Sequence, residues 1–168
     1  MTGIQASEAE INRAKRLHSV LLFDFIVIHI FIFVLAISMI KTSYIPLILM
    51  PALSLTLLGY VLFKAKQALT KEPSRFVRCH MLLAAKRARL FLALFLVTGT
   101  FTAVMYFGGP QFGMSKISSY SLAFGFGQLP FMVSLLVLVV LEFDAEHQCK
   151  SSKIPAAALA LHPAAKEE

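Results

Sequence analysis

The chain alternates between long apolar segments and shorter polar ones. The apolar segments are residues 19–40, 45–63, 90–107 and 120–141. The main polar segments are residues 1–18, 64–89, 108–119 and 142–168. The last of these has a low-complexity, Ala- and Pro-rich end and is predicted to be a flexible tail. About 20 apolar residues in an α-helix, each rising about 1.5 Å, cross the roughly 30 Å of hydrocarbon in a bilayer. Each apolar segment is therefore predicted to be a transmembrane helix, and the chain is predicted to be an all-α integral membrane protein.

Basic residues indicate how these helices are oriented. Of the 16 lysines and arginines, all but Lys41 and Lys116 lie before the first span, between the second and third, or after the fourth. Cytoplasmic loops of membrane proteins are enriched in these residues. We therefore predict an antiparallel four-helix bundle with both termini in the cytoplasm. Tyr44, Tyr106 and Tyr120 would then lie at the outer interface, where tyrosine rings are favoured.

Composition agrees with the membrane assignment. Hydrophobic residues make up 58% of the chain and the mean hydropathy is +0.75, whereas a soluble domain has about 45–50% apolar residues. The net charge of +7 is explained by the cytoplasmic loops, so no nucleic-acid partner is predicted. Cys79 and Cys149 both fall on the reducing cytoplasmic side, and no disulfide is predicted.

The connection between the second and third spans has its own pattern. Pro73 is predicted to start a helix that runs unbroken through Phe107. Four basic residues of this helix lie within about 80° of one another on a helical wheel. They are Arg75, Arg78, Lys86 and Arg89. The apolar side of the wheel carries Phe76, Val77, His80, Leu83 and Ala84. We predict a cytoplasmic amphipathic extension that binds anionic lipid headgroups, with docking of an acidic protein as the alternative.

Two ionisable residues interrupt the first span, Asp24 and His29. Such residues are costly inside a membrane and are functional candidates by default. Five residues correspond to about 140° around an α-helix, so the two side chains are predicted to lie on different faces. For Asp24 we predict an intramembrane ion pair with a basic residue at the same depth of the third span, and proton coupling is the alternative. The candidate partners are Lys86, Arg87 and Arg89.

His29 has two interpretations. The first is a neutral imidazole hydrogen-bonded to a hydroxyl of a facing span. The candidate hydroxyls are Ser54, Thr56, Thr98 and Thr100. The second is an axial ligand of a b haem. Since no other histidine lies at the same depth, the haem would have to be shared with another subunit, and no cofactor is predicted for this chain alone.

Small residues predict where helices approach closely. Gly99 and Ala103 on the third span, and Ala123 and Gly127 on the fourth, are pairs spaced by four residues. Such pairs allow two membrane helices to come together.

No catalytic or metal-binding pattern is present in the sequence. It contains no H-E-x-x-H, G-x-S-x-G or phosphate-binding glycine motif. Cys79-His80 and His147-x-Cys149 lack the ligand spacing of zinc sites, so no metal is predicted and no enzymatic activity is expected.

These observations favour a small non-catalytic subunit or assembly factor of a larger inner-membrane complex, of respiratory or secretion type, with membrane lipids and other membrane-protein subunits as partners. The alternatives are an oligomeric transporter or channel that uses Asp24, and a haem-anchoring redox subunit that uses His29. The first residues include Glu8 and Glu10, whereas mitochondrial leaders are poor in acidic residues. The bacterial inner membrane is therefore favoured over the mitochondrial one.

Overall fold

The computed structural model describes residues 6–39 and 41–161, and these residues form helices and connecting turns without any strand. The helices are α1 (Glu8–Phe23), α2 (Phe33–Met39), α3 (Ile45–Lys71), α4 (Arg75–Ala103), α5 (Lys116–Leu122), α6 (Leu129–Lys150) and α7 (Ala156–Leu159). Three π-helical segments continue these helices without a break. They are Asp24–Ile32, Val104–Gly108 and Ala123–Gln128.

Four continuous helices are long and apolar enough to cross a membrane. They are Glu8–Met39, Ile45–Lys71, Arg75–Phe112 and Lys116–Lys150. Each covers most or all of one of the four apolar segments and extends beyond it at one end or at both. The prediction of an all-helical membrane protein with four candidate spans is confirmed.

Local sequence signals explain where these helices begin. Ser7 and Glu10 form a capping box before α1, because the Ser7 side chain accepts from the Glu10 backbone N–H and Glu10 accepts from the Ser7 backbone N–H. Pro46 lies in the first turn of α3, where its missing N–H costs nothing. Gly113 adopts a left-handed φ of 79° between the third and fourth spans, a conformation that glycine tolerates without a steric penalty.

The chain divides into two compact units. The first unit comprises residues 1–88 and 139–168, and the second unit comprises residues 89–138. In the first unit, α1, α3, the beginning of α4 and the end of α6 contribute a buried core. Leu17, Leu21, Phe25, Val61 and Phe76 are among its fully buried side chains.

The second unit packs mainly through aromatic rings. The ring centroids of Phe91 and Phe95 lie 5.6 and 5.9 Å from that of Phe131. Tyr106 and Tyr120 stack with centroids 4.7 Å apart. Aromatic pairs at these separations stabilise a fold by about 0.5–1.5 kcal/mol beyond the area they bury.

The C-terminal segment differs from its sequence-based prediction. Residues 142–168 were expected to form a flexible tail, but α6 continues to Lys150 and a further short helix, α7, follows. Ala158 of α7 is fully buried and packs in a cluster with Cys79, Leu83 and Ala145. The tail is thus packed against the first unit up to residue 161, and residues 162–168 lie outside the described part of the chain.

The two predicted sides of α4 differ in burial. Its predicted apolar side is buried throughout, from Phe76 to Ala84. On the predicted basic side, Arg75, Lys86 and Arg89 are exposed and Arg78 is half-buried. The beginning of α4 therefore belongs to the core of the first unit and presents its charges outward.

Candidate functional site

Asp24 and His29 lie together in the π-helical segment of the first span. His29 Nδ1 donates to the Asp24 backbone carbonyl at 3.2 Å and lies 3.7 Å from Asp24 Oδ1. Both side chains are buried, with relative exposures of 0% and 1%. A π-helix pairs residue i with i+5, which brings residues five apart to the same side. The prediction that the two side chains lie on different faces assumed α-helical geometry and is wrong.

A hydroxyl from the second span completes this group. Ser54 on α3 is fully buried, and its Oγ donates to Asp24 Oδ2 at 3.1 Å. Ser54 was one of four candidate hydroxyl partners for His29, whereas in the structure it donates its hydrogen bond to Asp24. Thr56 and Thr98 instead donate to carbonyls of their own helices, at 2.8 and 2.7 Å, and Thr100 is exposed. We call Asp24, His29 and Ser54 the intramembrane cluster.

Arg87 has a different partner from the one predicted. Its Nη1 donates to Glu142 Oε1 at 3.1 Å and to the Leu141 carbonyl at 2.8 Å. Lys86 and Arg89 are exposed. The structure therefore contains two separate contacts in place of the predicted ion pair between Asp24 and the basic end of the third span. Arg87 pairs with Glu142, and Asp24 accepts a hydrogen bond from Ser54.

Glu142 is the centre of a second buried group. It is fully buried, and its Oε2 lies 2.6 Å from Nδ1 of His18. His18 Nε2 in turn lies 3.2 Å from Nδ1 of His80, and His80 Nε2 donates to the Lys153 carbonyl at 3.0 Å. His18, His80, Arg87 and Glu142 thus form one hydrogen-bonded chain within the first unit, which we call the His–Glu–Arg network.

The acceptors in this network define where its protons lie. Lys153 offers only a carbonyl, so His80 Nε2 carries a proton. His80 lies outside the four apolar segments. Burial lowers its pKa to about 4, and the neighbouring His18 is the next cause. A neutral His80 that donates from Nε2 accepts at Nδ1, so the proton between the two rings is on His18 Nε2. Glu142 lies between the His18 imidazole and the Arg87 guanidinium, with a hydrogen-bonding partner for each of its carboxyl oxygens.

Sequence reasoning did not single out Glu142 or His18. Glu142 directly follows the fourth apolar segment and His18 directly precedes the first. His80 had been placed on the apolar side of α4, where a histidine needs a partner once buried. An acid, a histidine and an arginine at the ends of three different apolar segments were the sequence feature that could have indicated this network.

The predicted small-residue pairs behave differently from each other. Ala123 and Gly127 are buried, and the Ala123 carbonyl accepts from Thr102 Oγ1 at 3.3 Å. A Cβ at Gly127 would lie 3.2 Å from Thr102 Cβ, so this glycine does permit close helix approach. By contrast, a Cβ at Gly99 would meet nothing within 4 Å, and Ala103 is exposed. Within this chain, therefore, the pair on the fourth span lies against a neighbouring helix and the pair on the third span does not.

The cysteines and the remaining histidine form no metal-binding group. Within the described residues, no three His, Cys, Asp or Glu side chains are arranged to hold a metal ion. Cys79 and Cys149 are both buried and free, and Cys149 Sγ donates to the Ile11 carbonyl at 3.5 Å. Burial raises the pKa of the Cys149 thiol to about 11, so this side chain behaves as a core residue.

Comparison with protein-family models, curated proteins and solved structures found no match for this chain. Functional assignment therefore depends on the contacts described above. The roles predicted for His29 as a haem ligand, and for the basic side of α4 in lipid or protein binding, stay predictions.

Proposed function

We propose that this protein is a small non-catalytic subunit or assembly factor of a larger complex in a bacterial inner membrane. In this proposal its four spans are antiparallel and both termini are cytoplasmic. The distribution of basic residues along the chain supports that orientation.

The observation that carries the proposal is the open small-residue pair on the third span. Gly99 and Ala103 lie one turn apart, so they share a face of α4. A Cβ at the half-buried Gly99 would meet nothing within 4 Å, and Ala103 is exposed. The second predicted pair, Ala123 and Gly127, is already buried.

An open pair of this kind favours a neighbouring helix over lipid. Lipid tails are as apolar as leucine side chains, so bulky surfaces give a partner helix little advantage. Small residues allow two helix backbones to approach, which adds dispersion contacts that disordered lipid chains make less well. We infer that a span of another subunit packs against Gly99 and Ala103.

The experiment is native purification of the chain with its partners, with a double substitution that fills this face. Gly99→Leu combined with Ala103→Leu adds bulk where nothing in the chain opposes it, so the variant should still insert and fold. Ala93→Leu combined with Val97→Leu is the matched control. Ala93 and Val97 are exposed on another face of the same helix, also four residues apart.

We expect the native chain and the control to co-purify with stoichiometric partners from mild detergent, and the Gly99/Ala103 variant to lose them. Mass spectrometry of the purified material reports the partners directly. Equal retention in both variants would contradict the proposed interface. A clean homo-oligomer of the native chain would overturn the subunit proposal.

The intramembrane cluster favours a second candidate, an oligomeric transporter or channel in which Asp24 is the coupling group. π-helical segments occur often at functional sites, and this one places a carboxylate, an imidazole and a hydroxyl together away from solvent. In proteoliposomes, Asp24→Asn should abolish ion-driven flux while Asp144→Asn, a change at an exposed position of α6, leaves it intact. Unchanged flux in Asp24→Asn would exclude this role.

A further inference from the structure

A basic cavity of about 220 Å³ lies in the first unit, lined by α1, α3 and the beginning of α4. Four cationic side chains line it, two from α1 and two from α3. They are Arg13, Arg16, Lys64 and Lys71. Among the described residues in its wall, Glu72 supplies the one carboxylate. The cavity therefore carries a strong excess of positive charge.

Only part of this charge is neutralised within the chain. Arg13 Nη2 lies 3.3 Å from Glu72 Oε1, and Lys64 Nζ donates to Gln67 Oε1 at 3.4 Å. Within residues 6–39 and 41–161, Arg16 and Lys71 take part in no ion pair or hydrogen bond. Bringing like charges together is unfavourable, so an anion that enters the cavity relieves repulsion as well as gaining contacts.

The position of the cavity along the helices fits the membrane surface. Arg16 precedes the apolar segment that starts at residue 19, and Lys64 directly follows the one that ends at residue 63. Tyr60, which also lines the cavity, is a residue type that favours the interface between hydrocarbon and water. The basic side chains are therefore at the level of lipid phosphates.

An adjoining groove shares Arg16 and leads away from the charges. It is an open cavity of about 380 Å³ that begins beside Asn12 and Lys15 and continues to Val20 and Phe23. Residues 12 to 23 rise by about 16 Å along an α-helix. The lining thus changes from basic to apolar over this distance, in the same order as a phospholipid changes from headgroup to acyl chain.

We propose that these two cavities, which share Arg16 in their walls, are a binding site for one anionic phospholipid. Its phosphodiester contacts Arg16, Lys64 and Lys71, and an acyl chain lies against Val20 and Phe23. The site is separate from the basic side of α4 and goes beyond the proposed subunit function, which requires no specific lipid. Basic pockets between membrane helices are a recurring way to bind anionic headgroups.

The test compares two double variants of the purified full-length chain. Arg16→Gln with Lys64→Gln removes two cations from the cavity. Lys66→Gln with Lys153→Gln removes two positive charges from exposed positions that lie outside both the cavity and the basic side of α4. Native mass spectrometry then measures binding of phosphatidylglycerol against phosphatidylcholine, and thermal unfolding in detergent confirms that each variant is folded.

We expect the native chain and the exposed-charge variant to bind phosphatidylglycerol similarly and to prefer it over phosphatidylcholine. The cavity variant should bind it roughly ten- to thirtyfold more weakly, as the loss of two basic contacts predicts. Equal weakening in both variants would overturn the proposal in favour of diffuse surface attraction. Absence of any preference in the native chain would overturn it outright.

Two further measurements separate a lipid from a soluble anion. Inorganic phosphate, added at the concentration of the lipid, should fail to displace phosphatidylglycerol, because it makes no contact with the groove. Phe23→Ala should weaken lipid binding while the charges remain, since Phe23 is 53% exposed and available to an acyl chain. Complete displacement by phosphate, with no effect of Phe23→Ala, would assign the cavity to a soluble anion and contradict the lipid.

Discussion

The two units bury polar groups in opposite ways. The first unit connects ionisable side chains to each other: His18 to Glu142 at 2.6 Å and Arg87 to Glu142 at 3.1 Å. In the second unit, aromatic rings and small residues provide the packing, and Thr102 satisfies its hydroxyl on the Ala123 carbonyl at 3.3 Å. The difference teaches that the specificity of the first unit depends on charge complementarity, whereas that of the second depends on shape.

Breaking the charge complementarity of the first unit should have the largest effect. Glu142→Gln removes the acidic partner of the half-buried Arg87 and of the buried His18, and removing one partner of a buried ion pair costs about 3–5 kcal/mol. Equilibrium unfolding in mixed micelles measures the loss. Glu146→Gln is the control, since its lysine partners are partly exposed and at 2.9 and 3.6 Å, and it should cost about 1 kcal/mol or less. Similar losses in the two variants would contradict a special role for the network.

The pH dependence of stability should come next. Because the folded-state pKa of His80 is about 4 and its unfolded value is about 6.5, the unfolded chain binds the extra proton first. The contribution of His80 to the free energy of unfolding is therefore fully present above pH 6.5. It is lost as the pH falls towards 4, by up to about 3 kcal/mol. His18, Arg87 and Glu142 face His80 or its partner in the native chain.

His80→Gln keeps a donor for the Lys153 carbonyl while removing the titrating ring, so its stability should vary less over this pH range. Unfolding curves at pH 7, 5.5 and 4.5 provide the measurement. A native-like pH slope in His80→Gln would assign the effect to another group.

Shape complementarity in the second unit can be tested with two neighbouring glycines. Gly127→Ala forces a methyl group against Thr102 and within 3.4 Å of Phe101, which should cost about 1–3 kcal/mol. Gly125→Ala meets nothing within 4 Å and should be neutral or slightly stabilising, because alanine favours helix. Thermal unfolding of both variants in the same detergent decides the comparison, and equal effects would contradict the close contact.

The smallest expected difference lies between single hydroxyls of the two units. Ser54→Ala removes the donor to a buried Asp24 carboxyl oxygen and should cost about 1–2 kcal/mol. Thr102→Val removes a bond to a backbone carbonyl and should cost about 0.6 kcal/mol, the average for hydrogen bonds between membrane helices. A larger loss of stability in Thr102→Val than in Ser54→Ala would show that polar contacts contribute more to the second unit than to the first, and would contradict the contrast between the two units.

Much of the fold could be predicted from local patterns. The four helices able to span a membrane were predicted from consecutive apolar residues, and the structure contains them. The Ser7–Glu10 capping box and the burial of one side of α4 likewise depend on residues close together in sequence. The flexible tail was predicted from low-complexity composition, yet Ala158 is buried against Cys79 and Leu83. The composition of the tail does not reveal that residues far away in the sequence form a surface against which Ala158 can pack.

The residues of the intramembrane cluster were among the sequence-based candidates, but their contacts with one another were not predicted. Asp24 and His29 were identified because ionisable residues inside an apolar segment are costly. Their contact depends on a π-helical segment that changes the angular spacing of residues five apart, and nothing in the local sequence pattern indicated that segment. Arg87 was one of three candidate partners of Asp24, and its pairing with Glu142 instead depends on which helix ends meet.

The sequence by itself determined that this chain has four helices able to span a membrane, because hydrophobic length is a property of consecutive residues. It also determined which residues must find a polar partner, since burial of an ionisable group is unfavourable whatever surrounds it. Only the tertiary structure decided the partners: Glu142 for His18 and Arg87, and Ser54 for Asp24. Hydrogen bonds act over about 3 Å, so those choices depend on the register and packing of helices that are far apart in the chain.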